Sequence, residues 1–126
     1  SNTNNTNHLP LESPVHAIIV DDDSVFIDHM LYYFFDEQDV IDHFNSPEQL
    51  KINLARYPHK YPKQTKICLD HHFNSSELKG LDLAQELHQL GYNQLYLISG
   101  ALFTQGQIPS YITVLAKEDI GTIKDW

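Results

Sequence analysis

The chain has 126 residues, 41% of them hydrophobic, which suits a single domain with one packed core. Seventeen acids against eight Lys and Arg give a net charge near -9, a surface that repels a phosphate backbone and argues against direct nucleic-acid binding. The single cysteine, Cys68, excludes an intrachain disulfide framework and fits a reducing, cytoplasmic setting, and no run reaches the ~20 apolar residues that a membrane span needs.

The opening SNTNNTNHLPLESP is polar and has neither the basic nor the apolar region of a signal peptide, so residues 1–14 read as a disordered leader and 15–126 as the folded domain. Ala17 to Val20 is an apolar, β-branched run stopped by three acids, the pattern of a strand buried on both faces. In DSVFIDHMLYYFF, Val25, Ile27, Met30, Leu31 and Phe34 recur at helical spacing behind an acidic N-cap. Two of the aromatics Tyr32, Tyr33, Phe34 and Phe35 must face the core; the others are candidates for a partner or dimer surface. DVIDHF reads as a second strand. SPEQLKINLARY places Ser at the N-cap, Pro at the first helical position and Gln three residues past the cap, a strong helix start.

Lys66 to Asp70 is a third strand, followed by the polar loop HHFNSSELKG. LDLAQELHQLG then predicts a helix with Leu81, Ala84, Leu87 and Leu90 on one face, closed by Gly91. QLYLISG and ITVLAK give strands four and five, and ALFTQGQIPSY between them has room for a short helix at most. Strand and helix alternate throughout, which predicts a parallel sheet with helices on both faces and a ligand site beyond the carboxyl ends of the strands.

The polar residues at those ends are Asp21, Asp22 and Asp23 after strand one, Asp70 after strand three, Ser99 after strand four and Lys117 after strand five. Converging carboxylates repel one another unless a cation is present, and hard oxygen donors suit Mg²⁺. With a lysine and a hydroxyl alongside, the set could stabilise a phosphoryl group moving in line onto Asp70. Singly, each signal has an ordinary explanation: acidic runs cap helices, Ser before Gly is turn chemistry, and strand-end lysines are common. Their joint placement carries the reading.

The order VDDD, CLD, LIS and LAK at successive strand ends resembles the receiver domain of bacterial two-component response regulators, over roughly His16 to Lys117. The resemblance implies a doubly wound, flavodoxin-like five-stranded parallel sheet in the order 2-1-3-4-5. Asp70 would be the phosphoacceptor, with at most self-phosphorylation and autodephosphorylation as enzymatic activity. Asp22 would hold Mg²⁺ directly, Asp21 largely through water, and the backbone carbonyl of His72 would add a ligand. Ser99 matches the switch hydroxyl and Lys117 the phosphoryl-binding lysine. The donor would be a phosphohistidine on a histidine kinase or phosphotransfer protein. A homodimer is compatible with the family, and an output domain or effector is expected beyond this chain, past Trp126.

Several positions depart from the family pattern. Asn74 stands where a proline is usual, four residues after the acceptor, and Gly80 comes two residues later than the usual glycine. Glu118 replaces the proline after the lysine, which removes the reason for a cis peptide there. Val114 replaces the aromatic switch residue, with Tyr111 nearby. The stretch from Ser99 to Lys117 predicts a reduced fourth helix, and the nine residues EDIGTIKDW a truncated fifth. These departures keep a second reading open, a pseudo-receiver that only binds proteins.

A third reading takes DHH literally. Asp70, His71 and His72 resemble the motif of the DHH phosphoesterases, with Asp21 and Asp23 as the upstream D-x-D that helps hold two Mn²⁺ ions. Those enzymes are much longer and carry further acidic and His motifs that this chain lacks. His8, His16, His29, His43, His59 and His88 are scattered without metal-ligand spacing.

Overall fold

The computed structural model describes residues 14–74, 76–98 and 106–124. The first strand, β1 (Ala17–Val20), is buried at all four positions, as its unbroken apolar run requires. Asp23 ends the extended run by capping α1 (Ser24–Phe34): its carboxylate accepts from the Phe26 N–H at 3.1 Å. After β2 (Ile41–Phe44), α2 (Pro47–Arg56) begins as its sequence dictates. Ser46 Oγ accepts from the Gln49 N–H at 3.2 Å, and Pro47 opens the first turn. Then follow β3 (Lys66–Asp70), α3 (Gly80–Gln89), β4 (Leu95–Ile98) and β5 (Ile112–Leu115). A seven-residue 3-10 helix over Lys117–Ile123 comes last.

The strands form one parallel sheet in the order β2-β1-β3-β4-β5, a doubly wound, flavodoxin-like α/β arrangement. Strand alternation divides the core in two. Ile18, Val20, Ile67, Leu69, Leu95 and Leu97 face α2 and α3, where Leu50, Leu54, Leu83 and Leu87 meet them. Ile19, Cys68 and Ile98 face the other way, onto Ile27 and Met30 of α1 and Ile120 and Ile123 of the 3-10 helix. Cys68 is buried there, and burial pushes its thiol up to about 12, so it is an inert core residue rather than a nucleophile.

Some sequence expectations change. On α3 the buried set is Gly80, Leu83, Ala84 and Leu87; Leu81 is half-buried and Leu90 exposed. Leu90 is the C-cap, one residue beyond the last full turn, so helical spacing no longer points it at the sheet. On α1, Ile27 and Met30 are buried but Val25 is exposed in the first turn. Phe35 is buried and Phe34 half-buried, leaving Tyr32 and Tyr33 on the surface.

The fifth helical segment takes 3-10 form, with Gly121 at the ring of Phe34, where a Cβ would come to 3.0 Å. Lys124 closes this end of the chain by pairing with Asp36 at 2.6 Å and Asp39 at 3.0 Å. The leader apart from Pro14 and the first part of the stretch expected to hold a reduced fourth helix fall on residues 1–13 and 99–105, outside the described residues. Residues 106–111 contain no helix. No described peptide bond is cis, and no described helix is long and apolar enough to cross a membrane.

Candidate functional site

Parallel pairing sets the ends of β1 and β3 side by side: Val20 is in register with Leu69, so the next residues on each chain, Asp21 and Asp70, emerge at the same carboxyl edge. Asp21, Asp22 and Asp70 each place a carboxylate oxygen within 4.8 Å of the others. Among the described residues this is the group of Asp, Glu, His and Cys side chains close enough to share an ion. Neither His71 nor His72 belongs to it. Asp23, which the phosphoesterase reading needs as a ligand, caps α1 instead.

Backbone donors hold two of the acids. Asp21 Oδ1 accepts from the Asp23 N–H at 2.9 Å, and Asp22 Oδ2 accepts from the Asn74 N–H at 2.6 Å. The backbone N–H groups of His71 and His72 lie near enough to the Asp70 carboxylate to favour its charged form. Asp21 is buried, while Asp22 and Asp70 are half-buried. Burial is the main force on their protonation. It pushes Asp21 from an ordinary 3.8 to about 6, against the Asp23 hydrogen bond and with the help of the charge on Asp70. Burial also raises Asp70, opposed first by the Lys117 ammonium and then by the two backbone hydrogen bonds. Desolvated acids this close together would ionise more readily beside a cation.

Lys117, the first residue of the 3-10 helix, is exposed but near enough for its charge to lower the pKa of both Asp21 and Asp70. Its ammonium rests over the ring of Phe26, 4.2 Å from the centroid. Ser99, the expected switch hydroxyl, lies outside the described residues. The structure thus brings Asp21, Asp22, Asp70 and Lys117 to one edge.

The loop after Asp70 returns tightly. His71 N–H donates to the Ile98 carbonyl at 3.2 Å, and Gly80 N–H donates to the His71 carbonyl at 3.0 Å. His72 is exposed, with Lys79 Nζ 3.3 and 3.4 Å from its two ring nitrogens. Phe73 is buried in the α2–α3 side of the core and anchors the loop. Val114 is exposed, and Tyr111 stacks on His88 with centroids 3.7 Å apart.

The donor set fits Mg²⁺ chemically: three carboxylates, with no thiolate and no imidazole among them. It is an acidic, partly desolvated cluster that could bind a metal ion. The sequence points to the acids and the lysine but not to two residues that hold them, Asn74 through its backbone N–H on Asp22 and Phe26 through its ring under Lys117. Nothing local links Phe26 to a residue 91 positions away.

No family model matches this chain, and comparison with curated proteins and with solved structures gives no significant match. Fold and site geometry are therefore what carry a functional reading.

Proposed function

We propose that this chain is a receiver-type signalling domain that accepts a phosphoryl group on Asp70 in a Mg²⁺-dependent reaction. The observation that carries the reading is the convergence of Asp21, Asp22 and Asp70 at the carboxyl edge of the sheet, with Lys117 close enough to act on two of them. Asp70 Oδ would attack the phosphorus of a phosphohistidine on a kinase or phosphotransfer protein. The N–P bond breaks as the O–P bond forms, and the imidazole nitrogen keeps the electron pair. Asp21, Asp22, Asp70 and the His72 carbonyl would hold the ion. When bound, Mg²⁺ offsets the mutual repulsion of the acids and the charge on the phosphoryl oxygens.

The chain's own residues supply the rest. The His71 and His72 N–H groups would help orient the Asp70 carboxylate, which burial partly desolvates. Lys117 would pair with a phosphoryl oxygen once it arrives, and Ser99 would donate a hydrogen bond to another. A phosphoryl group adds negative charge and acceptor oxygens, enough to redirect the segments that carry these two residues and so the surface read by an effector.

The pseudo-receiver reading has one observation in its favour: the position of the usual aromatic switch holds an exposed valine, Val114. Incubation with Mg²⁺ and a small acyl phosphate separates the readings. Mg²⁺-dependent labelling that Asp70→Asn abolishes supports the receiver. Intact protein with no labelling supports the binding module, and Mn²⁺-dependent phosphoester hydrolysis would revive the phosphoesterase.

A further inference from the structure

We propose that Phe26 is the resting seat of the Lys117 ammonium, and that it keeps this cation within reach of Asp70 while metal offsets most of the charge of the acidic cluster. The inference rests on the phosphoacceptor reading of Asp70 and adds to it a positioning residue. Its basis is the 4.2 Å stacking of Lys117 Nζ on the Phe26 ring.

Both partners are fixed from below. The N–H of Phe26 is tied to the Asp23 carboxylate at 3.1 Å, and its ring packs against the α1 side of the core. Lys117 opens a 3-10 helix whose Ile120 and Ile123 are buried in that same cluster. The ring therefore stands at a set place beside the acids, and the lysine stem starts from a set place across from it.

The physical need for a seat follows from charge. Without metal, Asp21 and Asp70 attract the ammonium. A divalent cation among the three carboxylates leaves only about one net negative charge and weakens that attraction, so an exposed lysine would spend more time in water. An aromatic face holds a cation without competing for metal, because it offers a quadrupole rather than a full charge. It also lets go readily. A phosphoryl group on Asp70 presents a full negative charge, which outweighs an exposed cation–π contact and draws Lys117 off the ring. Phe26 thus acts through Lys117 and touches no reacting atom.

The test uses the full chain with ¹³C-labelled lysine and follows the ε-methylene signals by NMR, assigned with Lys117→Arg. The Lys117 ε-protons should lie upfield of those of the other lysines through the ring current of Phe26. The shift should persist with Mg²⁺, vanish in Phe26→Leu, survive in Phe26→Tyr, and collapse when beryllium fluoride is added with Mg²⁺. In labelling with an acyl phosphate, Phe26→Leu should lower the maximal rate roughly two- to fivefold at unchanged half-saturating Mg²⁺, and Phe26→Tyr should restore it.

A Lys117 signal without an upfield shift, or one that survives in Phe26→Leu, overturns the seat. A shift insensitive to beryllium fluoride in a protein that labels on Asp70 overturns the release. Failure of the wild type to label at all would instead overturn the phosphoacceptor reading, and the ring-current signal would still decide whether Phe26 seats the ammonium.

Discussion

Gly80 packs so closely on Asp70 that a Cβ at position 80 would overlap the Asp70 carbonyl oxygen and come within 2.8 Å of Leu97 Cδ1. The start of α3 is thereby pressed against the end of β3, and the Gly80 N–H closes the loop on the His71 carbonyl. The glycine that comes two residues late in the sequence is the one that brings a longer loop back to the sheet.

Gly80→Ala should therefore force α3 away from the strand that carries the acceptor. The expected loss is about 1–3 kcal/mol of unfolding free energy, the usual cost of overpacking a tight site, read by urea denaturation. A change below about 0.5 kcal/mol would show that the approach is not needed.

Asn74 supplies a backbone donor that a proline cannot. Its N–H reaches Asp22 Oδ2 at 2.6 Å, so Asn74→Pro should cost about 1 kcal/mol in EDTA, the net value of one such hydrogen bond. Asn74→Ala keeps the N–H and should cost less. Equal effects of the two substitutions would show that the side chain, and not the backbone donor, matters here.

The acidic cluster sets a pH signature. Burial raises the Asp21 carboxyl from an ordinary 3.8 to about 6, so the folded chain holds this proton more tightly than the unfolded chain does. The stabilisation from this group is full below about pH 4 and is lost as pH rises through about 6. Asp21→Asn removes the effect while keeping an acceptor for the Asp23 N–H. In EDTA near neutral pH the variant should be more stable than wild type by on the order of 1–3 kcal/mol, and the gap should close toward pH 4. A gap that does not change with pH would contradict the assignment.

The same repulsion predicts a metal response. Mg²⁺ should raise the melting temperature of the wild type near neutral pH, because binding to the folded state alone stabilises it. The increase should shrink near pH 5, where Asp21 is mostly protonated, and be largely lost in Asp22→Asn. An equal increase in wild type and Asp22→Asn would place the ion elsewhere.

Much of this was legible in the sequence, for particular reasons. A strand covered on both faces must be apolar along its length, so Ala17–Val20 and Lys66–Asp70 announce themselves by where charge begins. Ser46, Pro47 and Gln49 fix the start of α2 through local hydrogen bonding. What stayed hidden depends on contacts between distant residues or on the end of an element. Leu90 follows the helical period yet is exposed, because the period ends one residue before it. The Asn74 donor, the Phe26 ring and the Gly80 contact each gain their role from a neighbour that only the folded sheet provides. Lys117–Ile123 takes 3-10 form with Ile120 and Ile123 buried, a packing that local propensity does not encode.

The most direct test of the central claim is the intact mass of the protein after incubation with Mg²⁺ and a small acyl phosphate, with peptide mapping of the modified site. The account predicts the addition of one phosphoryl group, located on Asp70, that requires Mg²⁺ and is absent in Asp70→Asn. Folded, Mg²⁺-binding protein whose mass does not change, or a phosphoryl group that persists in Asp70→Asn, would contradict it.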